Sequence, residues 1–192
     1  MVAVAAMEPD AELMLRVKGG DTSSFALLLE RHRAPVVRFL HRMVDNPAVA
    51  EELAQEVFLR VYRARESYEP TAKFTTWLFR IASRLALNWL RDGRHEKDVD
   101  SLDAETEDAP GRDVPDGAPT AEQELLRRAR MEEVRKAVQA LPAKQRAAVL
   151  MHKFEGMQYS QIAGALGLSE PALKSMLFRA YETLRVRLAH MA

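Results

Sequence analysis

The sequence predicts an all-α protein built from two small helical domains joined by a flexible acidic linker. Nearly every periodic segment of the 192 residues repeats its apolar side chains at the 3.6-residue period of an α-helix. Charge supports the division: residues 1–95 hold 14 Lys and Arg against 12 Asp and Glu, residues 119–192 hold 12 against 7, and residues 96–118 hold 2 against 9. The formal net charge of zero therefore conceals an acidic middle and two basic ends, which favour nucleic-acid partners.

The first predicted domain begins with two helices. Asp10 can cap a short helix that ends at the glycine pair of residues 19–20. Asp21 or Thr22 can cap a second, longer helix. Because proline lacks a backbone donor, Pro35 is expected to kink or divide that helix.

Two further helices complete this domain, which is predicted to span residues 10–94. Asn46 is a suitable cap for the third helix and Pro47 a suitable first residue, and its apolar side chains then recur every four positions. A loop separates it from a fourth helix, which begins at Phe74 and is closed by Gly93. The apolar stripe of the third helix consists of Val49, Leu53, Val57 and Val61.

Residues 95–120 are predicted to be the linker, because they are acidic, rich in proline and glycine, and have almost nothing apolar to bury. Four short helices are then predicted over residues 121–190. Gly167 can supply the turn between the last two helices, and Ser169 can cap the final one. This arrangement is typical of a helix-turn-helix.

The final helix has one face suited to a core and one suited to DNA. Small residues near its start let a helix lie deep in a major groove, and its basic residues can reach base edges or phosphates. The alternative is an ordinary helical hairpin whose outer face is merely solvated. The predicted buried stripe is Leu173, Leu177, Ala180, Leu184 and Leu188; the opposite side carries Pro171, Ala172, Ser175 and Arg179, flanked by Lys174 and Phe178.

The fourth helix also carries an unusual stripe, in which a tryptophan is aligned with arginines and an amide. An aromatic plane on which bases stack, beside cations that bind phosphates, is what a single-stranded DNA surface requires. The alternative is that the tryptophan packs on a neighbouring helix and the arginines are solvated. The stripe consists of Trp77, Arg80, Arg84, Asn88 and Arg91.

Catalytic and metal chemistry find little support in the sequence. The carboxylates Glu52 and Glu56 have no accompanying histidine, metal motif or phosphate-binding loop, so their helix face is interpreted as a docking or simply solvated face rather than an acid–base pair. The chain has no cysteine, and its five histidines are scattered. We therefore expect no catalytic residues, metal or cofactor, no membrane insertion, and a cytoplasmic location.

Three segments, in order, resemble regions of the extracytoplasmic-function (ECF) sigma factors, the promoter-recognition subunits of bacterial RNA polymerase. The segment AEELAQEVFLRVY resembles region 2.2, and FTTWLFRIASRLALNWLR resembles regions 2.3 and 2.4. The segment ALPAKQRAAVLMHKFEGMQYSQIAGALGLSEPALKSMLFRAYETLR resembles region 4. The resemblance covers residues 10–190 and implies a sigma factor that recognises minus-10 and minus-35 promoter elements.

The resemblance also implies partners and site residues. The partners are core RNA polymerase, through its beta-prime coiled coil and beta flap, promoter DNA, and an anti-sigma factor. Core docking maps onto Glu52, Gln55, Glu56 and Phe58. Minus-10 recognition and melting map onto Tyr68, Lys73, Phe74, Trp77, Arg80, Arg84, Asn88 and Arg91. Minus-35 recognition maps onto Pro171, Ala172, Lys174, Ser175, Met176, Phe178 and Arg179.

Four positions depart from the family pattern. Met176 and Tyr181 stand where basic residues are common, which weakens the expected phosphate contacts, and Arg84 replaces a common asparagine. Gln158 replaces the usual capping serine, so the third helix of the second domain is expected to start with help from Ser160 or to fray.

Two rival functions remain open at the level of sequence. A conventional helix-turn-helix regulator would bind duplex DNA without polymerase and bury Trp77. A protein-binding helical adaptor would show no salt-dependent affinity for DNA.

Overall fold

The computed structural model describes residues 8–93 and 121–191, and these residues form helices without strands, which confirms the predicted fold class. The predicted linker and the first seven residues lie outside the described part. The α-helices are α1 (Pro9–Lys18), α2 (Thr22–Val44), α3 (Pro47–Arg63), α4 (Phe74–Asp92), α5 (Ala121–Gln139), α6 (Ala143–Lys153), α7 (Tyr159–Leu166) and α8 (Glu170–Arg187), with 3₁₀ turns at Arg65–Ser67 and Ala189–Met191.

Local sequence signals account for the starts of α2 and α3 in the first half, α1–α4, whereas α1 begins at Pro9, ahead of the expected cap Asp10, and α4 has no side-chain cap. The carboxylate of Asp21 accepts hydrogen bonds from the backbone N–H groups of Ser23 and Ser24, and the side-chain amide oxygen of Asn46 accepts one from the backbone N–H of Val49 at 3.1 Å. Helix α2 runs unbroken through Pro35, so the expected division is not observed. Buried side chains precede and follow the proline on α2, and their packing offsets the one missing backbone hydrogen bond.

The second half, α5–α8, contains the predicted helix-turn-helix in α7 and α8. Gly167 ends α7 in the left-handed conformation (φ 63°), and the Ser169 hydroxyl accepts the backbone N–H of Ala172 at 3.4 Å. At the start of α7, the side-chain oxygen of Gln161 accepts the backbone N–H of Gln158 at 2.8 Å. Gln161, rather than the expected Ser160, therefore holds this end of the helix, because it lies at the third helical position of a capping box.

The two halves share one continuous hydrophobic core, whereas the sequence suggested two modules held apart. Helix α7 lies against α4: a Cβ added to Gly164 would be 3.6 Å from the Thr76 side chain. Thr76 and Ser83 of α4 are polar but buried, with 8% and 1% exposure. The apolar Phe79 is buried as well. The second half therefore covers a stripe of α4 that is distinct from the stripe facing the core of the first half. We call this side-by-side packing of the two halves the closed arrangement.

Polar groups join the halves at the C-terminal end of α2. The buried guanidinium of Arg146 donates to the carbonyl oxygen of Met43 at 2.5 Å, and the Gln139 amide donates to that of Arg42 at 2.7 Å. Arg135 also forms an ion pair with Asp45. The last carbonyls of a helix have no partner within it, so these donors from the second half satisfy groups that α2 cannot satisfy itself.

In the part of the chain that the structure describes, no helix combines the length and apolarity needed to cross a membrane. Nor does this part contain a cluster of three or more His, Cys, Asp or Glu side chains able to hold a metal ion.

Candidate nucleic-acid interface

Helix α8 presents an open polar and aromatic face on the second half. Its inner residues Leu173, Leu177 and Ala180 are almost fully buried, as the helical period predicts. Leu184 and Leu188, expected on the same stripe, are only half-buried, because α8 extends past the packed part of the domain. The exposed residues are Pro171, Ala172, Lys174, Ser175, Phe178 and Arg179, whereas Met176 is half-buried.

Phe178 distinguishes this face from an ordinary solvated surface. Its ring is 67% exposed and lines a shallow depression with Lys174, Ser175 and Arg179. The Arg179 Nε donates to the carbonyl oxygen of Ser175 at 3.3 Å, which lays the guanidinium along the helix. An apolar ring between two cations can contact both base methyl groups and the DNA backbone.

Lys153 of α6 lies beside Tyr181, one of the two positions at which a basic residue is common in the family. Its ammonium lies 5.5 Å from the ring centre of Tyr181, whose hydroxyl is 2.6 Å from His152 Nδ1. Burial raises the pKa of Tyr181 to about 12, and burial together with the neighbouring Lys153 lowers the pKa of His152. The pair is therefore neutral near pH 7, and the local positive charge comes from Lys153 on α6.

The stripe on α4 is exposed except at Trp77. Arg80, Arg84, Asn88 and Arg91 all face solvent, and Arg91 pairs with the adjacent Asp92 at 3.0 Å. Trp77 is half-buried and packs on Tyr68 and Phe74, with ring centres 5.0 Å and 5.9 Å away. Trp77 therefore combines features of both alternatives. It packs on aromatic rings, as a structural residue would, and it keeps some of the exposure that stacking on a base requires.

The other residues mapped to minus-10 recognition divide by burial. Lys73 is exposed, whereas Tyr68 is 4% exposed and Phe74 is fully buried. In this conformation the two buried rings support the loop and Trp77 rather than forming surface themselves. Between them, residues 69–73 form a loop in which every residue is exposed.

Both ends of this loop are held by residues at the two ends of α1, the N-cap Glu8 and the last helical residue Lys18, which no sequence pattern singled out. Lys18 Nζ donates to the carbonyl oxygen of Tyr68 at 3.1 Å, and the backbone N–H of Phe74 donates to the Glu8 carboxylate at 2.7 Å. These partners are 50 and 66 residues apart in the chain, so no local pattern could have paired them.

Helix α3 carries the predicted docking face, with one correction. Glu52 and Gln55 are exposed, and the half-exposed Glu56 accepts a hydrogen bond from Arg60 Nε at 2.6 Å. Phe58 is 5% exposed and lies in the core, because it falls on the same side as Val57 and Val61. Leu59, which is 41% exposed, lies on the surface in place of Phe58. Its spacing from Glu52, Gln55 and Glu56 places it on their face of the helix, so the helical period alone could have identified it.

The junction between the halves contains a half-buried carboxyl group. Burial raises the pKa of Glu155, and the charges of Arg38 and Arg42 on α2 oppose this rise. The Arg42 guanidinium also lies over the ring of Phe154, 4.3 Å from its centre. The loop after α6 is therefore held against α2 by cationic side chains.

The fold is that of a two-part helical protein with a helix-turn-helix in its second half and an exposed basic surface on each half. Comparison with known families matches Sigma-70 region 2 to residues 28–96 and Sigma-70 region 4 to residues 131–184. Two curated relatives are RNA polymerase sigma factor CarQ of Myxococcus xanthus, 36% identical with 93% of this chain and 97% of the relative covered, and the ECF RNA polymerase sigma-E factor of Escherichia coli K12, 32% identical with 91% and 92% covered.

Solved structures share the fold. CnrH, solved in complex with the cytosolic domain of CnrY, superposes with a TM-score of 0.70 at 20% identity and covers 96% of this chain and 100% of its own. The sigma factor RpoE of Bartonella quintana, solved with the anti-sigma factor NepR, gives a TM-score of 0.63 at 23% identity and covers 86% and 96%.

The chain belongs to the sigma-70 family of RNA polymerase sigma factors, in its ECF group. Members of this family are transcription initiation factors rather than enzymes, and their regions 2 and 4 bind core RNA polymerase and promoter DNA.

Proposed function

We propose that this sigma factor divides its work between the two halves, with the first half spanning residues 10–94 and the second residues 121–190. The first half docks on the beta-prime coiled coil of core polymerase through the exposed side of α3, and it captures opened minus-10 DNA on α4 and the loop before it. The second half contacts the beta flap and reads the duplex minus-35 element with α8.

One observation carries this assignment: two separate helices expose basic faces that differ in kind. On α4 the arginines are aligned with a half-exposed tryptophan, which suits stacking of unpaired bases. On α8 small residues precede the basic ones at the start of a helix-turn-helix, which suits the major groove.

The closed arrangement has to open for both halves to act at once. Sites about two DNA turns apart are separated by roughly 70 Å. The contacts between α4 and α7, and those of Arg146 with α2, hold the halves side by side. The proposed linker, residues 95–120, would allow the halves to separate once polymerase and promoter engage them.

The contacts between the two halves also offer a way for an anti-sigma factor to hold this protein inactive in the cytoplasm. RpoE of Bartonella quintana, which shares this fold, was solved with the anti-sigma factor NepR. A partner that favours this arrangement would keep the two halves from separating to reach DNA sites roughly 70 Å apart.

Transcription in vitro tests the proposal. Purified core polymerase with this protein should transcribe from members of a randomised promoter library, and the free protein should bind the selected duplexes only weakly. Tight sequence-specific binding by the free protein as a dimer would favour the regulator, and an absence of salt-dependent DNA affinity would favour the adaptor.

Arg179→Ala tests the minus-35 assignment, with the exposed Arg187→Ala on the same helix as its control. A lost bidentate base contact costs about 1–3 kcal/mol, so promoter use should fall by about 5- to 150-fold and minus-35 preference should relax. Unchanged transcription and selectivity would refute the contact.

A further inference from the structure

The loop of residues 69–73 is anchored at both ends by a helix that is remote in sequence. The buried Tyr68 is the last residue before the loop, and its carbonyl oxygen accepts a hydrogen bond from Lys18 Nζ at 3.1 Å. The buried Phe74 is the first residue after the loop, and its backbone N–H donates to the Glu8 carboxylate at 2.7 Å. Five exposed residues thus lie between two anchors on one rigid element.

Helix α4 depends on this outside contact because it lacks a cap of its own. Lys73, at its N-cap position, makes no side-chain capping hydrogen bond, and its first turn contains no acidic residue. The first N–H groups of a helix need acceptors, and a negative charge near them is favourable. The Glu8 carboxylate supplies both.

Helix α1 is itself firmly seated. Its residues Ala11, Met14 and Val17 are nearly fully buried. Asp10 is buried and binds His32 Nε2 at 2.9 Å and also Arg31, both on α2. The His32 ring in turn lies 5.4 Å from that of Phe74, so α1, α2 and the start of α4 form one connected unit.

We infer that α1 is a brace that positions the minus-10 loop and the first turn of α4, with Glu8 and Lys18 as positioning residues for strand opening. The inference rests on the proposed function of α4. Trp77 lies one turn beyond Phe74 and packs on Tyr68 as well, so any shift of the anchored residues moves the indole. A surface that is already in place when a base leaves the duplex spends less free energy on ordering itself.

The test follows promoter opening by the complete protein with core polymerase, using a fluorescent base in the minus-10 element. Glu8→Ala should slow opening by about 2- to 30-fold, which is the rate equivalent of the free energy that a lost helix cap costs. Glu8→Gln keeps the acceptor and should recover most of the rate. Glu12→Ala, an exposed position on the same helix, should open at the wild-type rate.

Lys18→Ala provides a second variant at the other anchor, so that the inference stays testable if Glu8→Ala folds poorly. It should slow opening in the same way, Lys18→Arg should restore it, and the exposed neighbour Arg16→Ala should have no effect. Affinity for core polymerase should not change in either variant, and a template already unpaired across the minus-10 element should restore initiation to within about twofold.

Three results would overturn the inference: wild-type opening by both alanine variants, an equal defect on the unpaired template, or an equal loss in the Glu12→Ala control. The proposed function fails by a different result, namely failure of the wild-type protein to open any promoter with core polymerase.

Discussion

Arg146→Met should destabilise the closed arrangement strongly, because the arginine is buried and serves several backbone acceptors. Its guanidinium donates to the carbonyl oxygens of Met43 at 2.5 Å, of Leu141 at 3.3 Å, and of Gln139. Methionine has similar length and apolar volume, so the substitution removes the donors while leaving little cavity. The effect then measures the hydrogen bonds rather than the packing.

The expected magnitude follows from the number of short contacts. Hydrogen bonds from a charged donor contribute about 1.5–3 kcal/mol each, and two of these three are short. We therefore expect the free energy of unfolding to fall by about 3–5 kcal/mol. For a chain of this size, that corresponds to a Tm lower by about 6–20 °C.

Calorimetry with Arg130→Met as the control measures this effect, since Arg130 is an exposed arginine on α5. Because the chain contains no cysteine, one spin label can be introduced on each half to follow their separation. Arg146→Met should broaden the distance distribution towards longer values. A Tm within about 1 °C of the wild type would refute the reasoning, because a buried donor of this kind cannot be lost without cost.

Three further predictions concern function, the helix-turn-helix and pH. Trp77→Ala should leave polymerase binding intact but slow promoter melting by about 5- to 150-fold, since stacking contributes about 1–3 kcal/mol per base; equal melting, followed with a fluorescent base, would remove Trp77 from the site. Gly167→Ala should cost about 1–2 kcal/mol because φ is 63° there, whereas Gly164→Ala should gain about 0.5–1 kcal/mol as a helical position whose added Cβ meets only an ordinary contact at 3.6 Å; equal shifts in urea unfolding would contradict this pair. Burial raises the pKa of Glu155, so the fold favours its protonated form and its contribution to stability falls as pH rises from the ordinary carboxyl value through the raised one. Glu155→Gln should therefore match the wild type at low pH and be more stable at neutral pH, and parallel Tm profiles from about pH 4 to about pH 8 would show that the group does not titrate as argued.

Fold class and the faces of individual helices were accessible from sequence because both depend on local periodicity. The inner stripe Leu173, Leu177 and Ala180 is buried as predicted, and Gly167 takes the left-handed conformation that made it a turn candidate. Arg80 on α4 and Arg179 on α8 face solvent, on the sides of their helices opposite the buried stripes. Their roles on promoter DNA remain predictions.

Burial of a face by a distant element was not accessible in the same way. Phe58 was assigned to the docking surface, and Tyr68 and Phe74 to the minus-10 surface, yet all three lie in the core. Family motifs mark which segments matter for a function, but they do not separate residues that touch a partner from residues that hold the touching ones in place.

The sequence by itself determined that this protein is helical, that it has a helix-turn-helix near one end, and that two of its helices carry basic faces, because each property arises from residues within a few turns of one another. Only the tertiary structure decided that the halves share a core and that α1 anchors the minus-10 loop. Arg146 and Met43 are 103 residues apart, and Glu8 and Phe74 are 66 apart. Contacts over such separations depend on how whole helices pack, and a helical period, which specifies the faces of one helix, contains no information about which other helix will cover them.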